Sequence, residues 1–133
     1  MENNYKRTNT TVSLLNYHFV FCPRYRRKIF LDQNLKNRFK ELTKEICEQH
    51  SLDILALECD KDHVHLFVNA LPTQSPADIM AKIKGVTSKR LREEFPHLQH
   101  LPSLWTRSYF VSTAGNVASE TIKRYVEQQK TRG

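Results

Sequence analysis

No uninterrupted apolar run of about 18 residues occurs in this 133-residue chain, so a membrane-spanning helix is not expected. The chain does not open on a charged-then-apolar leader, and a cytoplasmic location is the expectation. Cysteine is scarce. Cys22, Cys47 and Cys59 are odd in number, far apart and form no CxxC pair, which excludes a disulfide framework and reads as ordinary buried thiols. Repeats, low-complexity tracts and Gly/Ser linkers are lacking too. Residues 1–133 therefore read as a single domain with one core, residues 1–11 forming a flexible or peripheral N-terminal segment. Acidic residues are in the minority: 14 Asp and Glu against 21 Lys and Arg leave a net charge of +7. That balance points to a polyanionic partner, nucleic acid before membrane.

What is present reads as alternating strands and helices. The stretch "VSLLNYHFVFC" (12–22) is β-branched and aromatic, hence a strand, and a basic loop "PRYRRK" follows. Asp32 is a suitable N-cap for a helix to about His50, with Leu35, Phe39, Leu42 and Ile46 three or four apart. "LDILALEC" and "HVHLFVNAL" are strand-like runs joined by the polar tip "DKD". Ser75 followed by Pro76 starts a second helix, weakened by Gly85 and stopped by Pro96. "WTRSYFVST" reads as a fourth strand, and "VASETIKRYVEQQK", capped by Asn116, as a last helix. The order β-α-β-β-α-β predicts an α+β fold, the ferredoxin-like split β-α-β antiparallel sheet, with a C-terminal helix added.

Strand alternation sends Val64, Leu66 and Val68 to one face, under the two long helices. His63, His65 and Phe67 take the other. Two imidazoles about 6 to 7 Å apart along a strand can converge on one cation. A zinc site of the form C-x3-H-x-H through Cys59 is a lesser alternative, since its fourth ligand has no recognisable position. On the last helix Tyr125 and Gln129 are four apart and share a face, fitting a nucleophile beside a metal ligand.

The segment "HVH" with its hydrophobic flanks matches the HUH motif. "YHFVFCPRYRRKIF", "LWTRSYFVSTAGN" and "ETIKRYVEQQ" are similar to the other recurring blocks of the small single-tyrosine HUH transposases. These are the TnpA-type enzymes of the insertion-sequence two-hundred/six-hundred-and-five group. The resemblance runs from about Ser13 to Gln129, with the blocks in order. It departs at Arg24, where lysine is commoner, and at Ala114 and Asn116 in the glycine turn.

The resemblance implies Tyr125 as nucleophile on the C-terminal helix, and His63, His65 and Gln129 as ligands of a divalent cation, Mg2+ or Mn2+. It implies metal-assisted cutting and rejoining of single-stranded DNA at insertion-sequence ends through a 5′-phosphotyrosine. The expected substrates carry hairpins, and the expected assembly is a homodimer in which sites can be shared between subunits. The phenol needs activation, for which Lys123, Arg124 and the carboxylates Asp60 and Asp62 are candidates; the two carboxylates are also candidates to support the ligands from behind. Candidate phosphate contacts are Arg24, Arg26, Arg27 and Lys28 in the loop, and Lys82, Lys84, Lys89 and Arg90 on the second helix. Tyr25, Tyr109 and Phe110 are candidates for stacking on bases, and His18 reads as structural. The rival readings are a non-catalytic hairpin or RNA/DNA-binding domain and a zinc-stabilised interaction module.

Overall fold

The computed structural model describes residues 5–7, 12–113 and 119–132. Its centre is a four-stranded antiparallel sheet in the order β4-β5-β3-β6, where β3 is Leu15–Phe21, β4 Asp53–Cys59, β5 Val64–Ala70 and β6 Phe110–Ser112. The first and third of these strands lie at the centre and the second and fourth at the edges, as the split β-α-β order requires. Two short strands, β1 (Lys6–Arg7) and β2 (Val12–Ser13), pair with each other beside the sheet. Lys6 ties that ribbon to β4 through a 2.7 Å ion pair with Asp53.

Helix α1 (Gln33–Gln49) starts as its cap predicts, with the Asp32 carboxylate accepting from the backbone N–H groups of Asn34 and Leu35. Helix α2 (Pro76–Glu94) starts on Ser75, whose hydroxyl accepts from the Asp78 N–H. It runs unbroken through Gly85, because Ile83 and Thr87 on either side are buried and packing overrides the weak propensity. Both helices pack on one face of the sheet. Leu35, Phe39, Leu42 and Ile46 of α1 and Ile79, Met80 and Ile83 of α2 meet Phe19, Phe21, Val64, Leu66 and Val68 in one core.

The fourth strand is shorter than the sequence suggests. Within 105–113 only Phe110–Ser112 extends β3, after a single bridge between Trp105 and Pro23. Trp105 turns into the core instead, where its indole N–H donates to the Thr87 hydroxyl at 3.0 Å. Residues 107–109, with polar Arg107 and Ser108, are irregular, and pairing resumes at Phe110.

Helix α3 (Ser119–Gln128) continues into a single 3-10 turn at Gln129–Thr131. Its predicted cap, Asn116, lies outside the described residues. Val126 and Tyr125 pack against Val20, Cys22 and Phe110. The last helix therefore covers part of the face that α1 and α2 leave open.

Candidate active site

The hairpin between β4 and β5 closes with the Asp60 N–H donating to the His63 carbonyl at 2.9 Å. Register pairs Val20 with His65, so the two share the face on which α3 lies. Val64, Leu66 and Val68 are fully buried on the opposite face, as the alternation predicts. The rings of His63 and His65 are 5.0 Å apart between centroids. Asp60, His63 and His65 each offer a ligand atom, all within 4.8 Å of one another.

Each imidazole is held through Nδ1. His65 Nδ1 and His18 Nε2 share a hydrogen bond of 3.2 Å, and His63 Nδ1 lies 2.9 Å from the Asp62 carboxylate. The His65 bond uses Nδ1 and not Nε2, whereas His63 Nε2 stands 2.9 Å from Asp60 Oδ2. Metal-binding histidines are commonly fixed in this way, through the nitrogen that does not ligate. Burial lowers the pKa of His65, as does the charge of His63, and burial with the charge of His65 lowers that of His18. Neutral imidazoles are the form a cation needs. Asp62 is only 4% exposed. Burial pushes its carboxyl up, but hydrogen bonds from His63 and Arg26 outweigh it and leave the group below its ordinary value.

The donor set of two imidazoles and a carboxylate fits a divalent cation. Asp60, a candidate to support the ligands from behind, offers an oxygen beside the two imidazoles. Gln129, expected as the third ligand, is buried with its amide committed elsewhere: Oε1 accepts from the Ser108 hydroxyl at 3.1 Å and Nε2 donates to the Tyr125 carbonyl at 3.3 Å. The same Ser108 hydroxyl lies 3.2 Å from the Tyr125 phenol oxygen. Ser108 thus holds the candidate nucleophile and the candidate ligand together. Burial pushes the Tyr125 phenol up to about 12, against the pull of the Ser108 hydroxyl.

Cys59 pairs with Val64 and is buried in the core with it, on the far side of the sheet from the imidazoles. That placement gives the C-x3-H-x-H zinc reading no support. All three thiols are buried, and burial pushes Cys22 and Cys47 up to about 12 and Cys59 to about 11.

The candidate phosphate contacts separate into two groups. Arg27, Lys28, Lys82, Lys89 and Arg90 are exposed, Arg90 in an ion pair with Glu94. Arg24 bonds the Ser103 hydroxyl at 2.9 Å and lies over the ring of Tyr25. Lys84 turns inward and donates to the carbonyls of Thr106 and Ser108 at 2.8 and 2.9 Å, where burial lowers its pKa to about 8. Arg26 is also turned inward, onto Asp62. Lys123 and Arg124 are exposed. Of the candidate stacking rings, Tyr25 is exposed, whereas Tyr109 packs against the core and Phe110 against Val20 and Tyr125.

Two residues matter more here than the sequence indicated. His18 read as structural; alternation in "YHFVFC" is the signal that puts it on the face of Val20, but nothing local announced that β3 would pair it beside His65. Ser108 lies in irregular chain before β6, where no periodicity marks a side chain's direction.

A family model described as Transposase IS200 like matches residues 11–129. The ISDra2 transposase TnpA of Deinococcus radiodurans is 28% identical over 93% of this chain and 90% of its own length. The transposase for insertion sequence element IS200 of Salmonella typhimurium is 32% identical, over 85% of this chain and 75% of its own. Among solved structures, a provisionally assigned transposase from Deinococcus radiodurans R1 superposes with a TM-score of 0.85 at 31% identity, covering 93% of this chain and 97% of that one. A REP-associated tyrosine transposase, solved bound to a REP hairpin, shares the fold at a TM-score of 0.58 and 14% identity, over 92% and 68% of the two chains.

Proposed function

Because the chain belongs to the IS200-like transposase family, we propose that it cuts and rejoins single-stranded DNA at insertion-sequence ends, with Tyr125 as nucleophile. His63, His65 and Gln129 are the proposed ligands of a divalent cation, magnesium or manganese, with Asp60 as a further donor on the same side. The observation that carries this reading is the convergence on one sheet face of two imidazoles fixed through Nδ1 and a helix bearing Tyr125 and Gln129. Gln129 would join the histidines by exchanging its bond to Ser108 for the cation.

In the first step the Tyr125 phenol oxygen attacks the scissile phosphorus and loses its proton. The bond from phosphorus to the 3′ oxygen breaks, and that oxygen takes up a proton as a free 3′-hydroxyl. The strand is left joined to the enzyme as a 5′-phosphotyrosine. In the second step a different 3′-hydroxyl attacks the same phosphorus and releases the tyrosine. The number of phosphodiester bonds is conserved, so no ATP is needed. A divalent cation, when bound, would offset charge on the scissile phosphate. The Ser108 hydroxyl orients the phenol, and once Gln129 has left it for the cation its proton is free to turn to the phenol oxygen and stabilise the ionised form.

The proposed substrates carry hairpins, as the REP hairpin of the REP-associated transposase does. The exposed Arg27, Lys28, Lys82 and Lys89 are the proposed phosphate contacts. The proposed assembly is a homodimer, in which the tyrosine helix of one subunit can complete the site of the other. No helix among the described residues is long and apolar enough to cross a membrane.

The test is covalent capture. Labelled single strands from the flanks of the gene are incubated with protein and manganese and run on a denaturing gel. A shifted band is expected with wild type on single strands only, and none with Tyr125→Phe or His65→Ala. Tight hairpin binding without any adduct would replace the transposase chemistry by a binding-only role.

A further inference from the structure

Arg26 stands where a phosphate contact was expected, yet its guanidinium faces inward. Its Nη2 lies 2.7 Å and its Nε 3.1 Å from Asp62 Oδ2, while Nη1 reaches Glu127 on α3 at 3.2 Å. The Arg26 side chain is 16% exposed and that of Asp62 is 5% exposed. The other Asp62 oxygen holds His63 Nδ1. A chain of charged hydrogen bonds therefore runs from His63 through Asp62 and Arg26 to Glu127. Glu127 sits between Tyr125 and Gln129 in sequence, and it also pairs with Lys130 at 3.1 Å.

The backbone is bent to make this possible. Tyr25 and Arg26 have φ values of 58° and 52°, a left-handed conformation that non-glycine residues rarely adopt. The turn is fixed from both sides: the Arg24 N–H donates to the Leu104 carbonyl and the Tyr25 N–H to the Arg132 carbonyl, just past the tyrosine helix. Strain of this kind persists where surrounding structure enforces it, and it concentrates at functional sites. A planar five-donor fork can grip one carboxylate through two N–H groups and reach a second through a third in a fixed geometry, which the single nitrogen of an ammonium does not provide.

We infer that Arg26 is a positioning residue, an internal clamp that fixes the metal-facing histidine through Asp62 and couples it to the tyrosine helix through Glu127. It is not a phosphate contact. This rests on the function proposed above, and it assigns Arg26 a task in that same site. Without the fork, Asp62 is a buried carboxylate with one partner fewer, its hold on His63 Nδ1 slackens, and α3 loses this tie to the hairpin.

The experiment compares wild type with Arg26→Gln, Arg26→Lys and Glu127→Gln. It reads Mn2+ affinity by electron paramagnetic resonance, the imidazole 15N shifts of His63 without metal, hairpin binding at several salt concentrations, and adduct formation. Arg26→Gln is expected to weaken Mn2+ binding 10- to 100-fold and to average the His63 ring shifts. Its hairpin affinity and salt slope should match wild type. Arg26→Lys keeps a cation on Asp62 and should restore most of the Mn2+ affinity but not the adduct rate. Glu127→Gln should leave Mn2+ affinity within twofold and slow adduct formation. The clamp is overturned if Arg26→Gln leaves Mn2+ affinity and the ring shifts as in wild type. It is equally overturned if hairpin binding weakens and the salt slope falls by about one contact, which marks a phosphate ligand. If wild type forms no adduct, the transposase reading fails alone, because metal affinity and ring shifts still judge the clamp. If Arg26→Gln does not fold, Arg26→Lys and Glu127→Gln decide it.

Discussion

His18 and His65 meet across adjacent strands, Nε2 to Nδ1, at 3.2 Å. His18 is itself 5% exposed and stacked flat on Phe67, with ring centroids 4.0 Å apart. The contact immobilises the His65 ring with Nε2 clear of it. The supporting residue of one candidate ligand is thus another histidine on β3, while that of His63 is the Asp62 carboxylate on the hairpin. Two candidate ligands only two residues apart in sequence are oriented by different elements.

Replacing His18 by leucine keeps an apolar side chain on Phe67 but removes the partner of His65 Nδ1. Mn2+ affinity is expected to fall about 10- to 100-fold with the circular dichroism spectrum unchanged. An affinity within twofold of wild type would reduce His18 to packing.

Tyr125 gives a pH dependence with a definite sign. Burial raises its pKa to about 12, so at pH 7 the phenol is protonated and the phenolate fraction grows about tenfold per pH unit. The single-turnover rate of adduct formation, at saturating Mn2+, is expected to rise with a slope near one between pH 7 and 9. Ser108→Ala removes a hydroxyl that favours the phenolate, a bond worth about 1.5–3 kcal/mol to a charged group. The variant should be slower by about tenfold or more at every pH, with the same slope. A plateau near neutrality would instead mean that a group titrating there accepts the proton.

Much of this was legible from periodicity. Val64, Leu66 and Val68 against His63 and His65 fixed which face of β5 is buried, and Asp32 and Ser75 marked both helix starts because their side chains cap the backbone whatever the tertiary context. What was not legible depends on contacts distant in sequence. Lys84 and Arg26 look like any surface cation in a basic run, and only the fold shows that one meets backbone carbonyls 22 and 24 residues away and the other a carboxylate 36 residues away. The strand read across 105–113 failed for a related reason. Trp105 has high strand propensity, but the core claims its ring and Thr87 its N–H.

Thr87→Val tests that last arrangement. The Thr87 hydroxyl accepts from Trp105 and donates to the Ile83 carbonyl at 2.6 Å. Valine has the same shape but leaves the buried indole N–H without its acceptor, at a cost of about 1–3 kcal/mol. Trp105 is the only tryptophan in the chain, so its fluorescence reports both the local change and the denaturant midpoint. An unchanged midpoint would show that another group takes over the bond.

Among the basic residues the structure separates lysines that face solvent from one that faces protein. Lys82→Ala and Lys89→Ala should each flatten the dependence of log K on log salt for hairpin DNA by about 0.7 to 0.9, the amount expected for one lost phosphate contact. Lys84→Met should leave that slope unchanged. Its side chain holds the Thr106 and Ser108 carbonyls, so its loss should instead lower stability by about 1–3 kcal/mol and slow adduct formation through Ser108. The two classes differ in which quantity moves, and binding isotherms at three salt concentrations beside a urea titration separate them. A reduced salt slope for Lys84→Met would place its ammonium on the DNA and overturn the inward assignment.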